Sequence, residues 1–294
     1  MPRILQTGQA SWLLSTSWFT NLSQTTARSS RASCTPICRI GKNETRDLRK
    51  LPDGLREVCP LRIVVWNCKM AFSRKRHLVL DLCPDIAVIP ESSQNSIQSS
   101  AEEGLGCLWF GENPKKGLGV LVAKPWRILD FREPQNKWVV PIWIGGPSDF
   151  LLLAVWTTRI KGSKKRSYIG QACEAVKGNS EWFDGKPVVM CGDFNSNVIW
   201  DSSRTNNHSY LMQFLAERRI VSAYHRFFSE PQGKEKQPTH YFYHHKNRGY
   251  HIDYVFLPEQ WATRIEKVEV GEYREWAKVS DHVPLTVEVN LGSK

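Results

Sequence analysis

Carboxylate, amide and imidazole side chains stand at or beside the ends of five predicted β-strands in this sequence. The residues are Asn67, Glu91, Asp193 with Asn195, Asp253, and Asp281 with His282. In proteins built on such sheets, strand ends gathered at one edge form the usual site. Each position taken alone is more often a turn residue or a helix cap. The five together predict one site at which these side chains converge.

The oxygen-bearing side chains of this set suit a hard divalent cation. Mg²⁺ takes oxygen ligands and keeps several waters, so that one or two carboxylates are enough to hold it, and Mn²⁺ favours similar ligands. Glu91 offers a carboxylate, Asn67 an amide oxygen, and Asp281 a further carboxylate beside the metal. We therefore predict Mg²⁺, or Mn²⁺, as the cofactor.

The remaining side chains suit the hydrolysis of a phosphodiester. This reaction needs a group that orients or deprotonates water, and Asp193 with Asn195 offers a base next to an amide donor. His282 can donate to a phosphoryl oxygen. Asp253 can hold the other ring nitrogen of His282 and raise the pKa of the imidazole.

The elements that must position these side chains are mainly strands. Apolar, β-branched runs predict strands at 61–66, 86–89, 107–110, 119–123, 138–144, 150–157, 187–191, 250–257, 264–270 and 283–289. Helical spacing predicts helices at 72–82, 168–177 and 210–217. Strands outnumber helices and several follow one another directly, which indicates a mixed-sheet α/β or α+β fold rather than a strict βαβ alternation.

Composition limits the class of protein. Hydrophobic residues make up 41% of the 294 residues and twelve are Trp, which excludes a disordered or fibrous chain. No apolar run approaches the ~18 residues of a membrane span, so no transmembrane segment is predicted. Cys34 and Cys38 lack a second ligand pair for zinc, and the scattered cysteines indicate a reduced, intracellular protein.

The first sixty residues differ from the rest. No acidic residue precedes Glu44, while Ser, Thr and Arg are frequent. This composition is typical of an organellar transit peptide, of a disordered basic leader, or of an upstream extension from a misplaced start. We predict a leader over 1–60, one domain over 61–294, and a cytoplasmic protein, or an organellar one if the leader is a transit peptide.

The formal net charge of +11 indicates a polyanionic partner only weakly. Nine basic and four acidic residues precede residue 61, so that the leader holds nearly half of this charge.

The chain resembles the endonuclease/exonuclease/phosphatase superfamily, which has the DNase I-like fold. The resemblance spans about 61–290 and is carried, in order, by Trp66-Asn67, Pro90-Glu91, Gly-Asp-Phe-Asn at 192–195, His-Ile-Asp-Tyr at 251–254 and Ser-Asp-His at 280–282. It implies a four-layered sandwich of two packed mixed β-sheets flanked by helices, with the site at one rim. It also implies Mg²⁺- or Mn²⁺-dependent cleavage of a phosphoester by a directly attacking water.

Carried over by position, the resemblance gives each residue a role. Glu91 resembles the metal carboxylate, with Asn67 beside it and Asp281 near the metal. Asp193 resembles the group that positions or deprotonates the attacking water, and Asn195 a phosphate contact. Asp253 and His282 resemble a pair that clamps the phosphate.

One strand departs from the pattern of this superfamily. Many relatives carry His or Tyr at the end of the strand that corresponds to 150–157, whereas this chain has Trp156 there. Trp156, Thr157 and Arg159 are candidate substrate contacts. Trp156 can donate one N–H, Thr157 or Arg159 could stabilise the leaving oxygen instead of His or Tyr, and the metal could also do so alone. Asn197 and His208 are further candidates for lining the cleft, with a role in loop packing as the alternative.

Three further histidines, His240, His244 and His245, are expected to be exposed, since no second cluster marks a zinc site.

The sequence thus predicts a metal-dependent phosphodiester hydrolase, with a nuclease acting on DNA or RNA as a monomer as the leading hypothesis. The alternative within enzymes is a phosphatase or phosphodiesterase acting on a phosphoinositide, sphingomyelin or a nucleotide. The alternative outside enzymes is a catalytically idle member of the fold that binds nucleic acid or protein.

Overall fold

The computed structural model describes residues 39–40, 44–45, 60–133, 139–162, 168–202 and 206–292. The chain divides into two compact units, Met1–Leu55 and Arg56–Lys294. In the first unit, β1 (Arg39–Ile40) pairs with β2 (Glu44–Thr45) in antiparallel orientation. The remainder of the predicted leader up to residue 59 lies outside the described residues.

Two six-stranded mixed sheets form the body of the second unit. The strands of the first sheet, in spatial order, are β15 (Ile265–Val270), β16 (Leu285–Val289), β3 (Leu61–Val65), β4 (Ile86–Ser92), β6 (Lys116–Val122) and β5 (Gly106–Asn113). Those of the second sheet are β11 (Ile220–Ser222), β14 (Asp253–Pro258), β10 (Val188–Asp193), β9 (Phe150–Trp156), β8 (Val139–Gly145) and β7 (Arg127–Phe131). A separate ribbon joins β12 (His240–Tyr241) to β13 (Gly249–Tyr250).

Both sheets have the same arrangement of strand directions. The central pairs β3–β4 and β9–β10 are parallel, and the other described pairs of these two sheets are antiparallel. Seven α-helices are described: α1 (Phe72–Leu80), α2 (Gln94–Gln98), α3 (Ile169–Gly178), α4 (His208–Ala216), α5 (Ala223–Phe228), α6 (Glu259–Ala262) and α7 (Tyr273–Trp276).

Strand β9 shows why the layers stack in this way. Every residue from Phe150 to Trp156 is buried, and successive side chains of a strand point to opposite faces. Leu152 and Ala154 face the core between the sheets, whereas Leu153 packs toward helices α3 and α4. A continuous apolar run is what a strand needs when both of its faces are covered.

The first sheet repeats this pattern on its own outer face, where Val64 of β3 packs against Phe72 and Val79 of α1. The order of layers is therefore helices, sheet, sheet, helices, which confirms the predicted four-layered sandwich. Among the described residues, no helix is long and apolar enough to cross a membrane.

Candidate active site

Asp193 lies at the end of β10, at the rim where both sheets bring polar side chains together. Its strand neighbours are Trp156 of β9 and Asp253 of β14. Gly192 precedes it with φ +145°, and a Cβ at this position would lie 1.9 Å from the carbonyl oxygen of Val155. Only glycine allows β10 to approach β9 this closely, so the Gly-Asp pair fixes where the carboxylate emerges.

Two asparagines hold the Asp193 carboxylate. The Nδ2 of Asn67, from the loop after β3, donates to Oδ2 of Asp193 at 2.9 Å. Asn195 donates from its backbone N to Oδ1 at 2.9 Å and from Nδ2 to Oδ2 at 3.0 Å. Asn195 adopts a left-handed backbone with φ +45°, which asparagine tolerates better than most residues. The carboxylate is thereby fixed from both sheets.

The environment raises the pKa of Asp193 to about 7. Burial is the main cause, since the side chain is completely inaccessible, and repulsion from Asp253 adds to it. The charge of His282 and the donated hydrogen bonds act in the opposite sense. A carboxyl group that titrates near neutral pH is suited to accept a proton from water.

His282 completes the centre of the cluster. Its Nδ1 lies 2.9 Å from Oδ2 of Asp253, and its Nε2 lies 3.9 Å from Oδ2 of Asp193. The backbone of His282 is held by Trp66, whose Nε1 donates to its carbonyl oxygen, and by the hydroxyl of Ser280, which accepts from its N–H. Ser280 also donates to the carbonyl oxygen of Asn67, which ties the two loops together.

His282 is protonated at neutral pH, because its pKa is raised to about 9. Burial lowers the pKa of the imidazole, but the negative charges of Asp253, Asp193 and Asp281 together outweigh that effect. With Nδ1 bound to Asp253, the protonated ring presents its Nε2–H on the side of Asp193. The group can therefore act as a cationic hydrogen-bond donor.

The expectation of an exposed His240 is wrong. Its ring lies against that of His282, with centroids 4.5 Å apart, and its Nδ1 is buried without a hydrogen-bond partner among the described residues. Burial and the charge of His282 lower the pKa of His240 to about 4, so the ring is neutral. His244 is half-buried as well, whereas His245 is exposed.

Glu91 extends the cluster toward the first sheet. It adopts φ +61° at a bulge of β4, and its Oε1 accepts from Nδ2 of Asn67 at 3.4 Å. Its Oε2 pairs with the Nζ of Lys116 at 3.1 Å. The contacts form a continuous row of side chains, which we call the polar row: Lys116, Glu91, Asn67, Asp193 and His282.

Asp281 lies on the other side of His282 and is paired with Lys69. The Nζ of Lys69 is 3.0 Å from Oδ2 of Asp281 and 2.7 Å from Nε2 of His244. Because Nδ1 of His244 donates to the carbonyl oxygen of Ala277, its Nε2 is free to accept from the ammonium. Burial raises the pKa of Asp281, but the charges of His282 and Lys69 outweigh it and the pKa is lowered overall.

Glu91 offers one carboxylate to a hard divalent cation, although neither group of three neighbouring potential ligands among the described residues includes it. The carboxylate is partly accessible and already holds a cation, the ammonium of Lys116. Asn67 directs its Nδ2 at two carboxylates, and its Oδ1 accepts from the backbone N of Lys69, so it acts in this structure as a hydrogen-bond donor.

Two groups among the described residues place three potential ligand atoms within 4.8 Å of one another: His240–Asp281–His282 and Asp193–Asp253–His282. In both groups the His282 ring is protonated and bound to Asp253, which makes it a donor and not a ligand.

The substrate contacts expected near Trp156 are mostly covered. Trp156 packs in the core between the sheets and is 5% exposed. Thr157 is completely buried, its hydroxyl donates to the carbonyl oxygen of Phe194, and its own carbonyl oxygen accepts from Nδ2 of Asn195. Arg159 is exposed. The structure thus brings Thr157 to the cluster as a support for Asn195.

Asn197 and His208 lie in a buried network behind the cluster. Asn197 donates to the carbonyl oxygen of His251 at 3.0 Å and to Oε2 of Glu235 at 3.2 Å. The ring of His208 bonds to Ser196 and Gln232, and burial lowers its pKa to about 4. These contacts favour the packing role that the sequence left open for both residues.

Sequence reasoning did not single out Lys69 or Lys116, and it placed His240 at the surface. Lysines and histidines are ordinary surface residues in most sequences, and only the fold shows that these three lie beside Glu91, Asp281 and His282.

Comparisons with known proteins bear on this arrangement. The model of the Endonuclease/Exonuclease/phosphatase family matches residues 64–282, which include the whole polar row. Comparison with curated protein sequences gives no match.

Several solved structures share the fold. A 3′-5′ exonuclease from Neisseria meningitidis superposes with a TM-score of 0.57 at 19% identity, covering 78% of this chain and 99% of that one. A Neisseria 3′ phosphatase bound to a product DNA hairpin superposes with a TM-score of 0.57 at 18% sequence identity, covering 78% of this chain and 99% of that one. An AP endonuclease from Archaeoglobus fulgidus superposes with a TM-score of 0.61 at 17% sequence identity, covering 79% of this chain and 100% of that one. At sequence identities of 17–19%, this structural similarity shows a shared fold.

Proposed function

The chain belongs to the endonuclease/exonuclease/phosphatase family and is a phosphoesterase, and we propose that it is a divalent-metal-dependent nuclease. The observation that carries the proposal is the contact of a buried, protonated His282 with a buried Asp193 whose pKa lies near 7. One group accepts a proton from water and the other stabilises negative charge, and direct hydrolysis of a phosphoester requires both functions.

In the proposed reaction, Asp193 orients a water molecule and accepts its proton as the oxygen attacks phosphorus. Asn67 and Asn195 keep the Asp193 carboxylate in one orientation through three hydrogen bonds. His282 donates Nε2–H to a phosphoryl oxygen, and Asp253 keeps the ring charged and correctly turned. Charge stabilisation of this preorganised kind is commonly the largest contribution to catalysis.

A divalent cation would be held by Glu91, with Asp281 as a further carboxylate, and when bound it would polarise a phosphoryl oxygen as a Lewis acid. Mg²⁺, or Mn²⁺, is the proposed ion, because the carboxylates at this rim are hard oxygen ligands.

Nucleic acid is the proposed substrate, and three observations support it. The net charge of +11, nearly half of which lies in the first sixty residues, weakly favours a polyanion. The fold is shared with an AP endonuclease. It is also shared with a Neisseria enzyme that is named both a 3′-5′ exonuclease and a 3′ phosphatase and that holds a DNA hairpin in one of its two structures. The monomeric state stays a prediction of the sequence.

A phosphatase is the second candidate, since one neighbour of the same fold is a 3′ phosphatase.

The cytoplasmic location, the organellar alternative and the separate leader stay predictions of the sequence. A catalytically idle member is disfavoured by the intact Asp193–His282–Asp253 arrangement.

The test is hydrolysis by the purified chain of single- and double-stranded DNA, RNA, a 3′-phosphorylated oligonucleotide and a phosphoinositide, with Mg²⁺ or Mn²⁺ and with chelator. Metal-dependent cleavage of nucleic acid should fall by about 1000-fold or more in both Asp193→Asn and His282→Ala. Release of phosphate alone would favour the phosphatase. Turnover that survives both substitutions would overturn the mechanism.

A further inference from the structure

Lys116 lies at the opposite end of the polar row from His282. From Lys116 the row passes through Glu91, Asn67 and Asp193 to His282 by successive contacts of 3.1, 3.4, 2.9 and 3.9 Å. One end of the row is therefore an ammonium and the other an imidazole, and the groups between them are two carboxylates and one amide. A phosphoester lying along this row would meet a nitrogen donor at each end.

Trp156 limits where the ammonium of Lys116 can go. The Nζ lies 5.6 Å from the centroid of the Trp156 ring, within the range of a cation–π contact. Trp156 is the register neighbour of Asp193, so this ring fixes the ammonium beside the end of β9. Lys116 begins β6, and its side chain is 40% exposed, which leaves the ammonium accessible to a ligand.

In an in-line displacement the attacking and leaving oxygens lie on opposite sides of phosphorus. Glu91 and Lys116 lie on the side of Asp193 away from His282 in the row, and a phosphorus atom bound between Asp193 and Lys116 would turn its leaving oxygen toward the ammonium. Thr157 is not a competitor for this role, because its hydroxyl is buried and bound to the carbonyl oxygen of Phe194.

We propose that Lys116 is a catalytic residue that binds the leaving oxygen, an inference that rests on the proposed phosphodiesterase function. Water forms the new P–O bond and gives its proton to Asp193, while the ester P–O bond breaks and its electron pair passes to the leaving oxygen. The ammonium of Lys116 donates a hydrogen bond to that oxygen as the negative charge builds. The released alkoxide then takes a proton from solvent.

The test compares two leaving groups in the full chain. Lys116→Met should lower kcat on a DNA oligonucleotide, whose leaving group is a poor alkoxide, by about 100-fold. On a p-nitrophenyl ester of thymidine monophosphate, whose leaving anion is already stable, the loss should stay below about 5-fold. Lys116→Arg keeps the charge and should recover most of the DNA activity. The exposed neighbour Lys115 supplies the matched control, Lys115→Met, which should resemble the unaltered protein.

Binding of Mn²⁺, followed by electron paramagnetic resonance, separates this role from a purely structural one. Removing an ammonium 3.1 Å from the Glu91 carboxylate removes a competing charge, so Lys116→Met should bind Mn²⁺ more tightly. Equal losses on both esters, or weaker Mn²⁺ binding with activity restored by excess metal, would show that Lys116 only positions Glu91 and would overturn the inference. If the unaltered protein cleaves neither ester with any metal, it is the proposed function that fails.

Discussion

Asp193 and Asp253 occupy paired positions on the antiparallel strands β10 and β14, and both side chains are completely buried. Two carboxylates this close to each other cannot both stay ionised without a cation. His282 supplies it, with Nδ1 at 2.9 Å from Asp253 and Nε2 at 3.9 Å from Asp193. The pKa of Asp193 and that of His282 therefore depend on each other and on the charge of Asp253.

The first prediction concerns the pH dependence of kcat/KM. The base Asp193 must be ionised and its pKa is about 7, so activity should rise as the pH increases through about 7. The donor His282 must be protonated and its pKa is about 9, so activity should fall above about pH 9. Measuring kcat/KM on DNA between pH 5 and 10.5 at saturating metal should therefore give a bell-shaped profile. A rate that keeps rising up to pH 10 would contradict the role of a protonated His282.

The second prediction concerns the source of the charge on His282. Asp253→Asn removes the strongest contribution that raises the pKa of His282, while burial continues to lower it. The alkaline limb of the pH profile should therefore move to lower pH. The ¹⁵N chemical shifts of the imidazole would report the same change without any substrate. Asp149→Asn, at an exposed turn, is the matched control and should leave the limb in place.

The strands that carry the site could be predicted from the sequence because they are buried on both faces. Strands β3, β4, β9 and β10 are near-continuous apolar runs, and each ends at or just before a polar side chain of the cluster. Edge strand β7 was missed, since most of its side chains are exposed and no apolar pattern marks it. The strand predicted at 250–257 is divided, because β13 ends at Tyr250 and β14 begins at Asp253.

The acidic and amide residues of the cluster could be predicted for the same reason, since strand ends meet at one rim. The positions of Lys69 and Lys116 beside the cluster could not be predicted. Lys116 and Glu91 are 25 positions apart, and Lys69 and Asp281 are on opposite ends of the domain sequence, so only the pairing of β4 with β6 and of β3 with β16 brings them together. A lysine at the start of a strand is an ordinary surface residue until that pairing is known.

The third prediction concerns the metal. Glu91→Gln removes one negative charge from the proposed ligand set while keeping the size of the side chain. Mn²⁺ affinity should fall by about 10-fold or more, and DNA cleavage should be partly restored by raising the metal concentration. Calorimetric titration of Mn²⁺ would measure the first effect. Glu102→Gln, at an exposed position, should bind Mn²⁺ like the unaltered protein, and equal affinities in all three proteins would exclude Glu91 as a ligand.

The fourth prediction separates two roles of Trp156, the substrate contact that the sequence suggested and the core packing that the structure shows. The ring is 5% exposed and lies among the apolar side chains between the sheets. Trp156→Ala would leave a cavity there and should lower the free energy of unfolding by about 3–5 kcal/mol.

Trp200 provides the matched control for this substitution, because its side chain is 47% exposed. Trp200→Ala should cost less than about 1 kcal/mol, since few contacts are buried there. Urea unfolding of both variants measures the difference.

The more conservative Trp156→Phe keeps an aromatic ring in the core and should fold, so that its kinetic constants can be measured. If Trp156→Phe leaves the free energy of unfolding unchanged but raises KM for DNA, then the ring contacts substrate; if stability falls and KM stays constant, its role is to pack the sheets and to support Lys116.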